Sequence, residues 1–308
     1  MAPILDPSRS TCVRLGSRGS KLSLWQARWV AESLGAALPG RSIEIVPIVT
    51  RGDLDQGPLT DLSESGVFTS ELEIALRAGR IDVAVHSLKD LPVDPPGGLP
   101  IAAVPLRDDP ADALVSRAGL SLATLPPGAR VGTSSPRRAC LVLSLRPDVE
   151  VAPLRGNVDT RVRKVDDGEY DAIVLAVAGL ERLGLEGRIS ERLDPRLFPP
   201  APGQGALALQ VREGDAALDA AVLAIDNSEA RSTITAERAC LHTLGGGCSR
   251  PVGAHAWWSG GVLHIAAFVG SPDGKTVLKA SGSGTVPESV GRGAADALLH
   301  QGAGALLA

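Results

Sequence analysis

VRLGSRGSKLSLWQARWVAESLGAAL, residues Val13–Leu38, decides the fold. Val13–Gly16 is a short apolar run that reads as a strand. Ser20–Leu38 reads as a helix, with Leu24, Ala27, Val30, Ala31 and Leu34 at helical spacing. The turn between them, GSRGS (Gly16–Ser20), puts Arg18 where the helix begins. Two further turns repeat the arrangement: GTSSPRR (Gly132–Arg138) and LRGNVDTR (Leu154–Arg161). A helix N-terminus already carries partial positive charge and unpaired N–H groups. Arginine there concentrates positive charge, which costs stability unless an anion arrives. The pattern predicts a ligand with several carboxylates or phosphates, held by helix starts and guanidinium forks together. The alternative is that the protein's own Asp and Glu side chains satisfy each arginine.

Strand and helix go on alternating outward from this stretch. Ile43–Val49 reads as a strand, Thr69–Ala78 as a helix, and Asp82–Val85 and Ile101–Val104 as short strands. The Pro/Asp-rich stretch Pro105–Pro110 marks a crossing, after which the rhythm restarts. Strands are predicted at Ala113–Val115, Arg130–Gly132, Val149–Pro153 and Ala172–Ala176, and helices at Pro136–Leu145 and Val158–Asp166. Proline-rich Pro195–Gly205 marks a second crossing, and Ala206–Val211 reads as a strand returning to the first sheet. The expected fold is α/β, with two hinged lobes and a cleft between them. Each lobe is a mostly parallel sheet with helices on both faces. Ligands of such sheets bind beyond strand carboxyl ends, where all three arginine turns fall.

From Asn227 the pattern changes. A helix over Asn227–Leu244, with Ser228 as its cap, precedes apolar alternation in Val252–Trp258, Val262–Val269 and Thr276–Ser281, then a helix from Pro287 to Gln301. This is a small α+β domain. The predicted division is residues 1–105 with 206–225, residues 106–205, and residues 226–308.

Composition excludes several classes. The net charge is 31 − 35 = −4 and aromatics are 3%, which argues against a broad nucleic-acid footprint. Met1–Cys12 lacks the charged start and apolar stretch of a signal peptide, and no apolar run approaches the ~20 residues that span a bilayer. Cys12, Cys140, Cys240 and Cys248 show no paired spacing. The expectation is a cytoplasmic protein with reduced thiols, bound to neither membrane nor nucleic acid.

Chemistry-bearing residues cluster at a few points. Strand Asp82–Val85 runs into His86-Ser87-Leu88-Lys89-Asp90. Asp90 is a candidate general acid or counter-charge for a cationic intermediate, and Ser87 and Lys89 are candidate carboxylate ligands. Alternatively, Asp90 is a cap and Lys89 a surface residue. Cys248 lies in GGGCS (Gly245–Ser249), where glycines leave a sulfur accessible. Cys240, His242, Cys248 and His255 fit no common zinc spacing, so no metal is expected. PGQGALA (Pro202–Ala208) has the letters of a dinucleotide fingerprint but precedes a strand, so it reads as a tight hinge with Gln204 available to a ligand.

Together these segments resemble the porphobilinogen deaminase (hydroxymethylbilane synthase) family. The matching stretches, in the family's order, are RLGSRGSKLSLWQA (Arg14–Ala27), VTRGD (Val49–Asp53), DVAVHSLKDLP (Asp82–Pro92), VGTSSPRR (Val131–Arg138) and LRGNVDTR. They continue with LAVAGLERL (Leu175–Leu183), PGQGA (Pro202–Ala206) and TAERACL (Thr235–Leu241) before GGGCS. The resemblance implies a monomeric transferase of haem biosynthesis. Such an enzyme joins four porphobilinogen molecules head to tail into hydroxymethylbilane, releases ammonia, and hands its product to the next pathway enzyme. It also implies a dipyrromethane cofactor in thioether linkage to Cys248, with Asp90 as catalytic residue. Cofactor contacts would come from Ser87, Lys89, Asp90, Ser135, Arg137 and Arg138. Arg18, Ser20, Arg155, Arg161, Arg182 and Gln204 would bind substrate. The first two domains would resemble periplasmic binding proteins.

The sequence departs from the family's pattern at four points. The Leu59–Gly66 loop has no lysine and carries Asp61 and Glu64, Gly245 replaces a common glutamate, Pro136 a leucine, and Asp159 a small or amide residue. The alternative function is a non-catalytic polycarboxylate-binding module with the same two lobes, which would need the arginines but neither Cys248 nor Asp90.

Overall fold

The computed structural model describes residues 12–50, 69–93, 99–212, 214–245 and 250–307. Cys248 and the Gly57–Gly66 loop lie outside the described residues. The first lobe is built from β1 (Cys12–Arg18), α1 (Lys21–Ala37), β2 (Ser42–Ile48), α2 (Ser70–Arg77), β3 (Val83–Ser87) and β4 (Ile101–Ala103). The second contains β5 (Asp112–Ser116), β6 (Arg130–Gly132), α3 (Pro136–Leu145), β7 (Glu150–Ala152), α4 (Val158–Asp166), β8 (Ala172–Ala176), α5 (Val177–Glu181) and β9 (Glu191–Leu193). The chain then returns to the first lobe as β10 (Leu207–Val211) and α6 (Ala216–Ala224). A third unit holds α7 (Ser228–Thr243), β11 (Val252–Ser259), β12 (Val262–Gly270), β13 (Val277–Gly284), α8 (Pro287–His300) and α9 (Ala303–Leu307).

The two lobes share one plan. Their strand orders are β2-β1-β3-β10-β4 and β7-β6-β8-β5-β9. In each, the first three strands are parallel, and the fourth place is taken by a strand arriving from the other lobe. That incoming strand runs antiparallel to both neighbours. Four of the five strands in each sheet therefore point one way, as expected, and only the strand that crosses over, entering from the opposite end, runs against them.

Ser20 starts α1 by accepting a hydrogen bond from Ser23 N at 3.2 Å. Ala27, Val30 and Leu34 of this helix pack on Val13, Leu15, Val83 and Leu209. Each of these valine and leucine side chains contributes about 1.5–3 kcal/mol on burial. Asn227, not Ser228, caps α7, accepting from Ala230 N at 2.8 Å. In the third unit one sheet face packs on α7 and α8 through Ala236, Ile265 and Leu298, while Phe268 on the other face enters the second lobe's core beside Leu141 and Phe198. Among the described residues no helix is long and apolar enough to cross a membrane.

The crossings run side by side. Asp108 N donates to Gly205 O at 3.3 Å, and Arg107 Nε to Gln204 O at 2.9 Å. Gly203 and Gly205 have φ of +81° and +85°. A Cβ at Gly205 would stand 2.5 Å from Asp108 O, and one at Gly203 2.3 Å from Leu88 Cδ2. Only glycine tolerates both the dihedral and the approach.

Candidate functional site

A cleft of about 880 Å³ opens between the starts of α1 and α4, one on each lobe. Arg18, Ser20 and Lys21 line one wall; Arg155, Asp159, Arg161 and Lys164 line the other. Ser87, His86 and Asp90 form part of its floor. Among the described lining residues there are five cations and two acids, so the cleft carries excess positive charge beside two helix starts.

Each group is placed by local structure. Arg18 ends β1, opposite Ile48 of β2. Ser87 ends β3, and Gln26 on the buried face of α1 donates to its hydroxyl at 3.0 Å. Lys89 and Asp90 occupy a single 3-10 turn, Leu88–Asp90. Leu88 anchors that turn: its side chain is fully buried under Gly203 and its N–H donates to Ala206 O at 3.0 Å. Gly156, at φ +113°, turns the chain after Arg155, and its carbonyl accepts from Arg161 Nε at 2.6 Å. Among the described residues, neither Arg155 nor Arg161 forms an ion pair with an acid. Burial, with Arg138 and Arg155 nearby, pushes the Arg161 guanidinium down to about 10. Crowded cations with lowered pKa are a mark of an anion site.

The second arginine turn, Gly132–Arg138, goes elsewhere. Ser135 caps α3, accepting from Arg138 N at 3.4 Å, and directs Arg137 and Arg138 into the seam behind the cleft. Both meet Asp112, which is fully buried: Arg137 Nη2 lies 2.7 Å from Oδ2, and Arg138 Nη2 2.7 Å from Oδ1. Arg137 also donates to Pro199 O at 2.9 Å. Gln204 joins the network, donating to Asp112 Oδ1 at 2.9 Å and accepting from Lys89 Nζ at 3.2 Å. Burial alone would raise the Asp112 pKa, but Arg137 and Arg138 outweigh it and hold the carboxyl far below its ordinary range. Burial and Arg138 push the Lys89 ammonium down to about 8. Asp112 thus satisfies part of what the two arginines require, and with Lys89 beside them the three cations outnumber Asp112 and Asp90.

Arg182 spans the lobes. It donates to Asp108 Oδ2 at 2.9 Å and Gly205 O at 2.8 Å, and its guanidinium lies 5.8 Å from the Trp25 ring. Of the thirteen sequence-derived candidates, the structure gathers Arg18, Ser20, Ser87, Asp90, Arg155 and Arg161 around the cleft. It gathers Lys89, Ser135, Arg137, Arg138, Arg182 and Gln204 at the seam, and Cys248 lies outside the described residues. Sequence reasoning missed Gln26, Lys21, Asp112 and Glu237 as organising residues. Gln26 and Asp112 sit at buried positions of a helix and a strand, where a lone polar residue is itself a signal. Cys240 is a core residue, its thiol pushed up to about 12 by burial and Glu237.

Residues 13–220 match the family model "Porphobilinogen deaminase, dipyromethane cofactor binding domain", and residues 231–300 match "Porphobilinogen deaminase, C-terminal domain". The chain is 50% identical over 297 residues to porphobilinogen deaminase of Roseiflexus sp. (strain RS-1), covering 96% of this chain and 98% of that one. It is also 50% identical over 301 residues to porphobilinogen deaminase of Stenotrophomonas maltophilia (strain K279a), at 96% and 98% coverage. Among solved structures, the VFT2 domain of Bordetella pertussis BvgS aligns over 73% of this chain and 92% of its own, with 18% identity and a TM-score of 0.42.

Proposed function

Because the chain belongs to the porphobilinogen deaminase family, we propose that it is a transferase that condenses four porphobilinogen molecules head to tail into hydroxymethylbilane, releasing ammonia. What carries this reading is one carboxylate, Asp90, on the floor of a cleft whose walls hold an excess of cations. Each pyrrole brings an acetate and a propionate, so a lengthening chain accumulates negative charge. Arg18, Ser20, Arg155 and Arg161 bind those carboxylates, with helix starts behind them. Loss of ammonia leaves positive charge on the reacting ring, and Asp90 stabilises it. Arg182 and Gln204 are engaged within the crossings and reach substrate only by exchanging those partners.

The seam fits the dipyrromethane cofactor of the family: it is buried, two guanidiniums share the Asp112 carboxylate, and the Lys89 ammonium is held beside them by Gln204. Ser87, Lys89, Ser135, Arg137 and Arg138 would hold its carboxylates, Asp90 would face its ring nitrogens, and Cys248 would carry it. When bound, the group supplies the carbon to which the first substrate ring is joined. The same proposal divides the chain at residues 1–105 with 206–225, 106–205 and 226–308, and places it as a monomer in the cytoplasm. Sheet membership supports the first division, since β10 sits between β3 and β4.

Intact-mass measurement on protein from cells making tetrapyrroles tests the proposal, together with porphobilinogen consumption. The expected result is a mass increment of two condensed pyrroles, absent from Cys248→Ala, and steady loss of substrate. An unmodified chain that leaves porphobilinogen intact overturns it in favour of a polycarboxylate-binding module.

A further inference from the structure

Lys21 and Asp159 meet across the cleft. Lys21 opens α1 on one wall, Asp159 lies in the first turn of α4 on the other, and Nζ stands 2.7 Å from Oδ2. Both helix starts face the same space, with Arg155 and Arg161 beside them. Like-signed helix ends and guanidinium groups repel one another, and a carboxylate between them lowers that energy. Asp159 is such a carboxylate. Lys21 and the N–H of Thr160 stabilise its charged form and hold its carboxyl below the ordinary range. An ammonium, helix-start N–H groups and nearby guanidiniums are also the donors that a ligand carboxylate would seek.

We propose that the Asp159 carboxylate stands in for a substrate carboxylate, and that Lys21 is a further substrate-binding residue that exchanges Asp159 for an acetate or propionate of the incoming chain. This rests on the polycarboxylate reading of the cleft given above. The two partners differ in freedom. The Lys21 side chain is 76% exposed and can swing, whereas Asp159, at 27%, is held against its own helix start. The lysine therefore moves and the aspartate stays. An exposed pair of this kind shifts an affinity by about fivefold at most.

A bridge that merely holds the lobes together makes a different prediction. Losing either partner then shifts binding the same way. Under exchange, Asp159→Asn frees Lys21 and removes a competing anion, whereas Lys21→Gln removes a ligand and leaves Asp159 to repel the substrate. The test uses the full chain and its Asp159→Asn, Lys21→Gln and double variants. KM for porphobilinogen and calorimetric Kd for mellitate, a polycarboxylate that cannot react, are measured at low salt. Asp159→Asn should tighten both by about threefold, Lys21→Gln should weaken both by about threefold, and the double variant should lie between. Shifts of one sign in both single variants, or no shift in either, overturn the exchange. Consumption of porphobilinogen with same-sign shifts rejects the exchange and spares the activity. Opposed mellitate shifts in a chain that leaves porphobilinogen intact support the exchange and reject the activity.

Discussion

Glu237 grips Arg107 with both carboxylate oxygens, Oε1 at 2.7 Å from Nη1 and Oε2 at 3.0 Å from Nη2. The same carboxylate accepts from Gly203 N at 2.8 Å and Ala256 N at 2.9 Å. One side chain of the third unit therefore ties both crossings to the strand that begins its own sheet. Burial alone would raise the Glu237 pKa; Arg107 and His255 outweigh it and keep the carboxyl below its ordinary range.

Removing one partner of a buried pair leaves an uncompensated charge and costs about 3–5 kcal/mol. Glu237→Ala should lower the unfolding free energy in urea by that order. Combining it with Arg107→Met should restore part of the loss, because no charge is then stranded. A Glu237→Ala protein as stable as the parent would show that the carboxylate anchors nothing.

Much of the fold was legible in the sequence because each lobe repeats one punctuated pattern. Helices Pro136–Leu145 and Val158–Asp166 and strand Ala172–Ala176 have the predicted bounds. The elements that escaped notice lack contrast. AALDAAVLA (α6) is almost uniformly apolar, ERL (β9) is short and charged, and α5 has five residues. The candidate site was legible as residue types but not as two separate groups. Whether Arg138 faces the cleft or the seam depends on Asp112, whose partners lie 26 and 92 residues away. No local period encodes such a pairing.

Acid should destabilise this protein partly through His86. The ring is buried, and burial pushes it down to about 4. Between that value and the ordinary 6.5, the unfolded chain takes up a proton that the folded one excludes, so stability falls as pH drops through this window. The loss reaches about 3 kcal/mol at its acid end. Glu73, raised by burial and facing the same Gln210, acts in the opposite sense just above its ordinary value of 4.5. Thermal melts from pH 7 to 4 should fall more steeply for the parent than for His86→Asn. Parallel curves would remove His86 from the account.

Asp90→Asn keeps shape and removes charge. The variant should retain the pyrrole adduct by intact mass yet turn over about 100-fold or more slowly, the scale seen when a charge-stabilising group is lost. Full-speed turnover would mean that another group meets the developing cation.

The paired crossings have a mechanical consequence. A single connecting strand would let the lobes swivel, but two strands bound by Asp108 to Gly205 and Arg107 to Gln204 bend about one line and resist torsion. Such a pair favours bending about that line over twisting, like the spine of a book.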